Sequence, residues 1–264
     1  GSFHGRTYGG LSATAQPKFH KGFEPLLPGF RTVPFGDASA LDAALTDRTC
    51  AFFIEPIQGE SGVRMPPSGY LGHAADLCRE RGILLVADEI QTGLGRTGTI
   101  LASEQYGITP DVVTLAKGMA NGLPLGAVIA SEEIAASFGP GTHGSTFGGN
   151  PVCCAAARVV FETIRSPGFL DEVRRKGDRF AEGLREMAGR RKDIRSVRGM
   201  GLMLAIEMEE ETKEIANRCL ANGLVVNSTA GNVLRFLPPL TINDGEIREG
   251  LMILEESLPG EGRK

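Results

Sequence analysis

Short apolar runs and stretches of helical spacing alternate along the first half of the chain. Residues 83–87 (ILLVA) run into Asp88, and residues 112–116 (VVTLA) run into Lys117 and a glycine. Apolar runs of about four to eight residues closed by polar residues or glycine suit buried strands of an α/β sheet. Residues 50–57 (CAFFIEPI) give another strand, stopped at Pro56, which has no N–H for a ladder; residues 126–130 (GAVIA) give a further one. Between them, Leu71, Ala74, Ala75, Leu77 and Cys78 recur at helical spacing and predict a helix over 68–81. A short helix is expected at 39–46, and Ser131 before Glu132 and Glu133 reads as the N-cap of another. This alternation predicts an α/β fold with a mostly parallel sheet flanked by helices.

The texture changes after Asn150. An apolar helix is expected over 151–165 with Pro151 in its first turn, then an amphipathic one over 169–188. Strand signals follow at 196–208, 224–227 and 233–236, with helices at 212–221 and 244–256. The reading is a large domain over 1–150 and, over 151–264, a linking helix with a small C-terminal α+β domain. Residues 17–36 carry too many prolines and glycines for a regular element, and their apolar content predicts a loop packed against something.

Composition narrows the function classes. A net charge of −4 gives no reason to expect nucleic acid or anionic membrane as a partner. No apolar stretch reaches transmembrane length. Five scattered cysteines, odd in number and without a CxxC pair, read as reduced, buried thiols of a cytoplasmic protein. Four histidines without ligand spacing predict no metal site. Glycines cluster at 93–98, 118–126 and 139–149, where backbone turns tightly or approaches a ligand.

In open α/β sheets the chemistry sits at the carboxyl ends of the strands. Asp88 and Lys117 are therefore expected to face one crevice, an acid and an amine on neighbouring strand ends. A lysine directly after a buried strand is expected to be desolvated. Desolvation favours the neutral amine, a nucleophile suited to Schiff-base chemistry. A pyridoxal phosphate site needs such a lysine and an acid on the pyridinium nitrogen.

Six motifs extend this reading: SFHGRT at 2–7, EPIQGESGV at 55–63, VADEIQTGLGRTG at 86–98, LAKGMANGLPLGA at 115–127, HGSTFGGNP at 143–151 and LRFLPPL at 234–240. Together, and in this order, they resemble the class III pyridoxal-phosphate-dependent aminotransferases, and most of all the acetylornithine and ornithine aminotransferases. The resemblance implies a fold-type I transferase that binds pyridoxal 5'-phosphate and works as a homodimer. It implies Lys117 as the Schiff-base lysine and proton carrier, Asp88 on the pyridinium nitrogen, and Gln91 at the ring hydroxyl. Phe3 would stack on the cofactor ring, and Thr146 would bind the phosphate of the partner subunit's cofactor. Arg6 would clamp a substrate carboxylate. Arg235 would be the second carboxylate binder, masked at rest by Glu60; Glu55 is left as structural.

The implied reaction moves the terminal amino group of N-acetylornithine to 2-oxoglutarate in arginine biosynthesis. Ornithine, succinylornithine or 4-aminobutyrate are the alternative donors. The family pattern also includes a Gly-Thr-rich phosphate loop ahead of SFHGRT, which nothing in this sequence matches. The resemblance is therefore to a chain truncated at its N-terminus, and a non-catalytic fragment that associates with a partner is the competing expectation.

Overall fold

Parallel strand pairing fixes the first half of the architecture in the computed structural model, which describes residues 1–260. The chain divides into two compact units: Gly1–Ile57, Pro66–Leu94 and Thr99–Pro167 form the first, and Gln58–Met65, Gly95–Gly98 and Gly168–Lys264 the second. Two short segments of the N-terminal half thus belong to the C-terminal unit, and the helix after Pro151 belongs to the first.

In the first unit, β1 (Ala51–Ile54), β2 (Leu84–Asp88) and β3 (Val112–Leu115) run parallel, and β4 (Ala127–Ala130) closes the order β1-β2-β3-β4 as an antiparallel strand. Ahead of β1 lie α1 (Tyr8–Ala13) and α2 (Ala38–Ala44); α3 (Tyr70–Arg81) makes the crossover from β1 to β2. The periodicity that predicts α3 is the face it buries: Leu71, Ala74, Leu77 and Cys78, joined by Tyr70. That face packs with Leu41, Ile54, Ile83, Leu85 and Ile108, each such side chain contributing about 1.5–3 kcal/mol on full burial. Gly82 ends α3 in the left-handed region at φ 64°, its N–H on Cys78 O and Arg79 O. Beyond β4, the four-residue α4 (Glu132–Ala135) is capped by Ser131, and α5 (Pro151–Ile164) by Asn150, whose Oδ1 accepts from Val152 N and Cys153 N.

The structure adds to the sequence reading in one place and refines it in two. α1 is absent from the sequence reading, because YGGLSA offers two glycines and no side-chain cap. The 17–36 segment packs Val33 and Phe35 against the core of this unit and Phe19 against Phe3, and leaves Phe23, Leu27 and Phe30 exposed. Of the five thiols, Cys50 and Cys154 are exposed, so only the other three are buried.

The second unit is an antiparallel sheet of order β5-β6-β8-β7, made of β5 (Ile194–Met200), β6 (Met203–Met208), β7 (Asn227–Thr229) and β8 (Val233–Phe236). It packs with α6 (Phe169–Arg190), α7 (Lys213–Ala221) and α8 (Asp244–Ser257) around Leu184, Ile206, Leu234, Phe236, Ile247 and Leu254. Asn243 and Glu246 form a reciprocal capping box at the start of α8. Arg96 enters this unit as a half-buried clamp, its Nη1 donating to Leu202 O at 2.9 Å and Pro238 O at 2.6 Å. Burial there lowers its pKa to about 10. Among the described residues no helix is long and apolar enough to cross a membrane.

Candidate active site

β2 delivers Asp88 at its carboxyl end, opposite Thr114 of β3. Three residues beyond Thr114 comes Lys117, so acid and amine leave adjacent parallel strands at the same end of the sheet. Asp88 is 4% exposed. Its Oδ1 accepts from Ile90 N at 3.1 Å, and its Oδ2 lies 2.8 Å from His4 Nδ1. The His4 ring stands edge-on to Phe53 with centroids 4.4 Å apart, and His4 N donates to Thr14 Oγ1 at 2.9 Å. Thr14 is itself wholly buried. A carboxylate so held has one orientation, and its remaining lone pairs are available to a further donor.

Lys117 differs from expectation. It is exposed and opens a 3-10 turn, Lys117–Ala120, with φ 45°. Val113 and Leu115 take the buried positions of β3, but the strand ends at Leu115 and Ala116 leaves it. The left-handed backbone costs a non-glycine residue about 1–2 kcal/mol, so this lysine sits at a point of stored strain.

Glu89, a residue the sequence reading passes over, is 1% exposed. It accepts from Thr92 Oγ1, Ala102 N and Ser103 N and so ties the loop after β2 to the turn at 102–106. Gly93 lies where a Cβ would come 2.8 Å from both Glu89 O and Leu115 Cδ2. Glu55, 3% exposed, accepts from Phe3 N at 2.9 Å, a structural tie that places the SFHGRT segment beside the sheet. Phe3 meets Phe19 edge-on at 5.5 Å, and the Arg6 guanidinium lies 4.1 Å from the Phe19 ring centroid. Gln91 is half-buried, and Thr146 is exposed in the glycine-rich loop.

The second unit holds the other expected side chains. Arg235, 8% exposed on β8, donates from Nη1 to Glu60 Oε1 at 2.9 Å and from Nη2 to Asn227 Oδ1 at 3.1 Å. The loop bearing Glu60 is closed by a Gln58–Arg64 bridge and held by Arg198 Nε on Gly62 O and Val63 O. Neither His4 nor Asn227 has a sequence signal of its own; strand register and a contact across 84 residues supply them.

Pyridoxal 5'-phosphate fits the first unit's residues at its ring end. A buried carboxylate with both oxygens oriented at a strand end suits a protonated ring nitrogen, and a primary amine leaves the neighbouring strand at the same end.

The chain matches the model of the family described as Aminotransferase class-III over residues 1–258. It is 47% identical to the acetylornithine aminotransferase of Caldanaerobacter subterraneus over 97% of this chain and 65% of that protein. It is 48% identical to that of Aquifex aeolicus, over 97% of this chain and 66% of that protein. The crystal structure of the ornithine aminotransferase from Toxoplasma gondii superposes with a TM-score of 0.93 at 38% identity, covering 97% of this chain and 62% of that one. The chain thus spans just under two thirds of the length of these relatives. With its motifs, its sheet and its match over residues 1–258, the chain belongs to the class III aminotransferases, a pyridoxal-phosphate-dependent family.

Proposed function

We propose that this chain carries the reacting lysine of an aminotransferase that moves the terminal amino group of N-acetylornithine to 2-oxoglutarate, in the cytoplasm and as a homodimer. The observation that carries the reading is Asp88, buried and doubly oriented, on the strand beside the one that leads into Lys117. The relatives named acetylornithine aminotransferase support this donor over ornithine. Thiols without disulfides suit a reducing compartment.

When bound, pyridoxal phosphate supplies an electron sink that allows an amino group and a proton to be exchanged. Asp88 keeps a ring nitrogen protonated through its carboxylate. Gln91 offers an amide to the ring hydroxyl. Phe3 presents an aromatic face, and the Thr146 hydroxyl donates to a phosphate of the partner subunit's site. Lys117, as the free amine, would take the proton from the amino-bearing carbon of the substrate onto Nζ and give it up again in the 1,3-shift. Arg6 takes a substrate carboxylate with its planar fork. Arg235 takes the second carboxylate of a dicarboxylate; Glu60 occupies it while a donor with a neutral or cationic end is bound.

Titration with pyridoxal phosphate tests the reading. The expected result is a visible absorbance band that borohydride bleaches and that Lys117→Ala abolishes. Absence of the band at high cofactor concentration overturns it and leaves the competing reading, a chain that associates with a partner and turns nothing over. Initial rates with N-acetylornithine, ornithine, succinylornithine and 4-aminobutyrate decide the donor.

A further inference from the structure

The Glu60–Arg235 ion pair is tied at both ends to one strand, β7. Asn227 stands directly opposite Arg235 in the β7–β8 register and accepts from its Nη2 at 3.1 Å. Two residues on, Thr229 Oγ1 donates to the main-chain oxygen of Glu60. Positions two apart in a strand share a face, so β7 presents both anchors together.

The two anchors differ in what they immobilise. Thr229 holds the backbone of Glu60, and the rest of its loop is fixed by the Gln58–Arg64 bridge and by Arg198 Nε on Gly62 O at 3.0 Å and Val63 O at 3.2 Å. Val63, wholly buried, is locked at φ 52°, a conformation a β-branched residue adopts only where its surroundings impose it. The freedom left to Glu60 is therefore rotation of its side chain, which is 33% exposed. Asn227 holds the guanidinium itself, its Oδ1 accepting from Nη2 while Glu60 Oε1 accepts from Nη1.

We propose that Asn227 is the positioning and specificity-determining residue for Arg235: it keeps the guanidinium aimed when Glu60 rotates away, so that a substrate carboxylate meets an aligned donor. The inference rests on the reading of Arg235 as a carboxylate binder and adds the group that makes the exchange possible. Chemistry favours an amide here. Its oxygen faces Arg235 as acceptor, which turns its Nδ2 donors away from the guanidinium, where they can reach a carboxylate oxygen of the ligand. Being neutral, it holds Arg235 without cancelling its charge, whereas a second carboxylate at this position would compete with the ligand. Asn227 is exposed, so a ligand can reach it.

Calorimetric titration of the 264-residue chain with glutarate, and with butyrate as the one-carboxylate control, tests the proposal. Asn227→Ala is expected to weaken glutarate about tenfold, the loss of one hydrogen bond to a charged group, and to leave butyrate and the melting temperature unchanged. Asn227→Asp is expected to weaken glutarate further, because it holds Arg235 but repels the ligand; a merely structural Asn227 would tolerate Asp as well as Ala. If Arg235→Gln weakens glutarate while Asn227→Ala and Asn227→Asp match the parent, the role of Asn227 falls and that of Arg235 stands. If the parent chain does not bind glutarate, or binds it equally after Arg235→Gln, the reading of Arg235 falls and takes the proposal with it.

Discussion

His4 Nδ1 lies 2.8 Å from Asp88 Oδ2, and the two side chains are 3% and 4% exposed. A buried carboxylate that loses a partner retains the cost of its desolvation, about 1–3 kcal/mol. His4→Ala is therefore expected to lower stability by about that amount and to weaken pyridoxal phosphate binding by disordering Asp88. Urea unfolding gives the first quantity and absorbance titration with the cofactor the second. His4→Asn, which keeps a donor near the ring's position, should recover part of both. Parent-like cofactor affinity in His4→Ala would remove His4 from the site.

Glu89 predicts a different outcome from its neighbour. Its carboxylate accepts from Ala102 N and Ser103 N as well as from Thr92 Oγ1, all in a buried setting. Glu89→Ala leaves two buried N–H groups without that acceptor, at about 1–3 kcal/mol each. The expected loss is about 3 kcal/mol in urea unfolding, well above a surface substitution. A loss below about 1 kcal/mol would show that water replaces the carboxylate.

The elements with a strong period were legible because their periods are the faces they bury. α3 follows Leu71, Ala74, Leu77 and Cys78, and β8 runs over the residues its apolar pattern marks. Asp88 at the end of β2, and Lys117 shortly after β3, are legible because a parallel sheet brings such ends together. What stayed hidden depends on register and on long-range contact. His4 reads as one more residue of a motif until the fold brings it across 84 positions to Asp88. Asn227 reads as the end of an apolar stretch, yet it begins β7 and faces Arg235. The exposure of Lys117 is not legible, because the sequence does not mark that β3 lets go of the sheet at Leu115. The two segments 58–65 and 95–98 join the second unit through contacts such as Arg96 to Leu202 and Arg198 to Gly62, which no local pattern announces.

Gly177 and Gly189 sit in the same helix and should respond oppositely to alanine. A Cβ at Gly177 would come 2.4 Å from Gly201 O and 2.5 Å from its carbonyl carbon, backbone that cannot step aside cheaply. Gly189, one residue before the end of α6, has nothing within 4 Å of its built Cβ. Gly177→Ala is expected to destabilise by about 1–3 kcal/mol through overpacking. Gly189→Ala should stabilise by up to about 1 kcal/mol, through the helix preference of alanine. Thermal melts of the two variants against the parent check the contrast, and a shared sign would refute it.

Tyr106 gives a prediction in pH. Its hydroxyl has no hydrogen-bond partner among the described residues, and its pKa is pushed up to about 12, by burial first and then by the charge of Glu89. An unpartnered buried hydroxyl opposes folding, so Tyr106→Phe is expected to be neutral or up to about 1 kcal/mol more stable at pH 7. The folded state favours the neutral phenol, whereas the unfolded chain ionises at the ordinary value of 10.0. The stability tied to this group is therefore intact below pH 10 and is lost as pH rises from about 10 towards 12. Phenylalanine has nothing to ionise, so the advantage of the variant should widen across that window. Cys78, raised to about 11 by burial and by Asp111, adds an earlier alkaline loss common to both proteins. Urea midpoints of the two proteins at pH 7, 9 and 11 read the difference directly. Parallel curves through pH 11 would mean that Tyr106 titrates alike in the folded and unfolded chain.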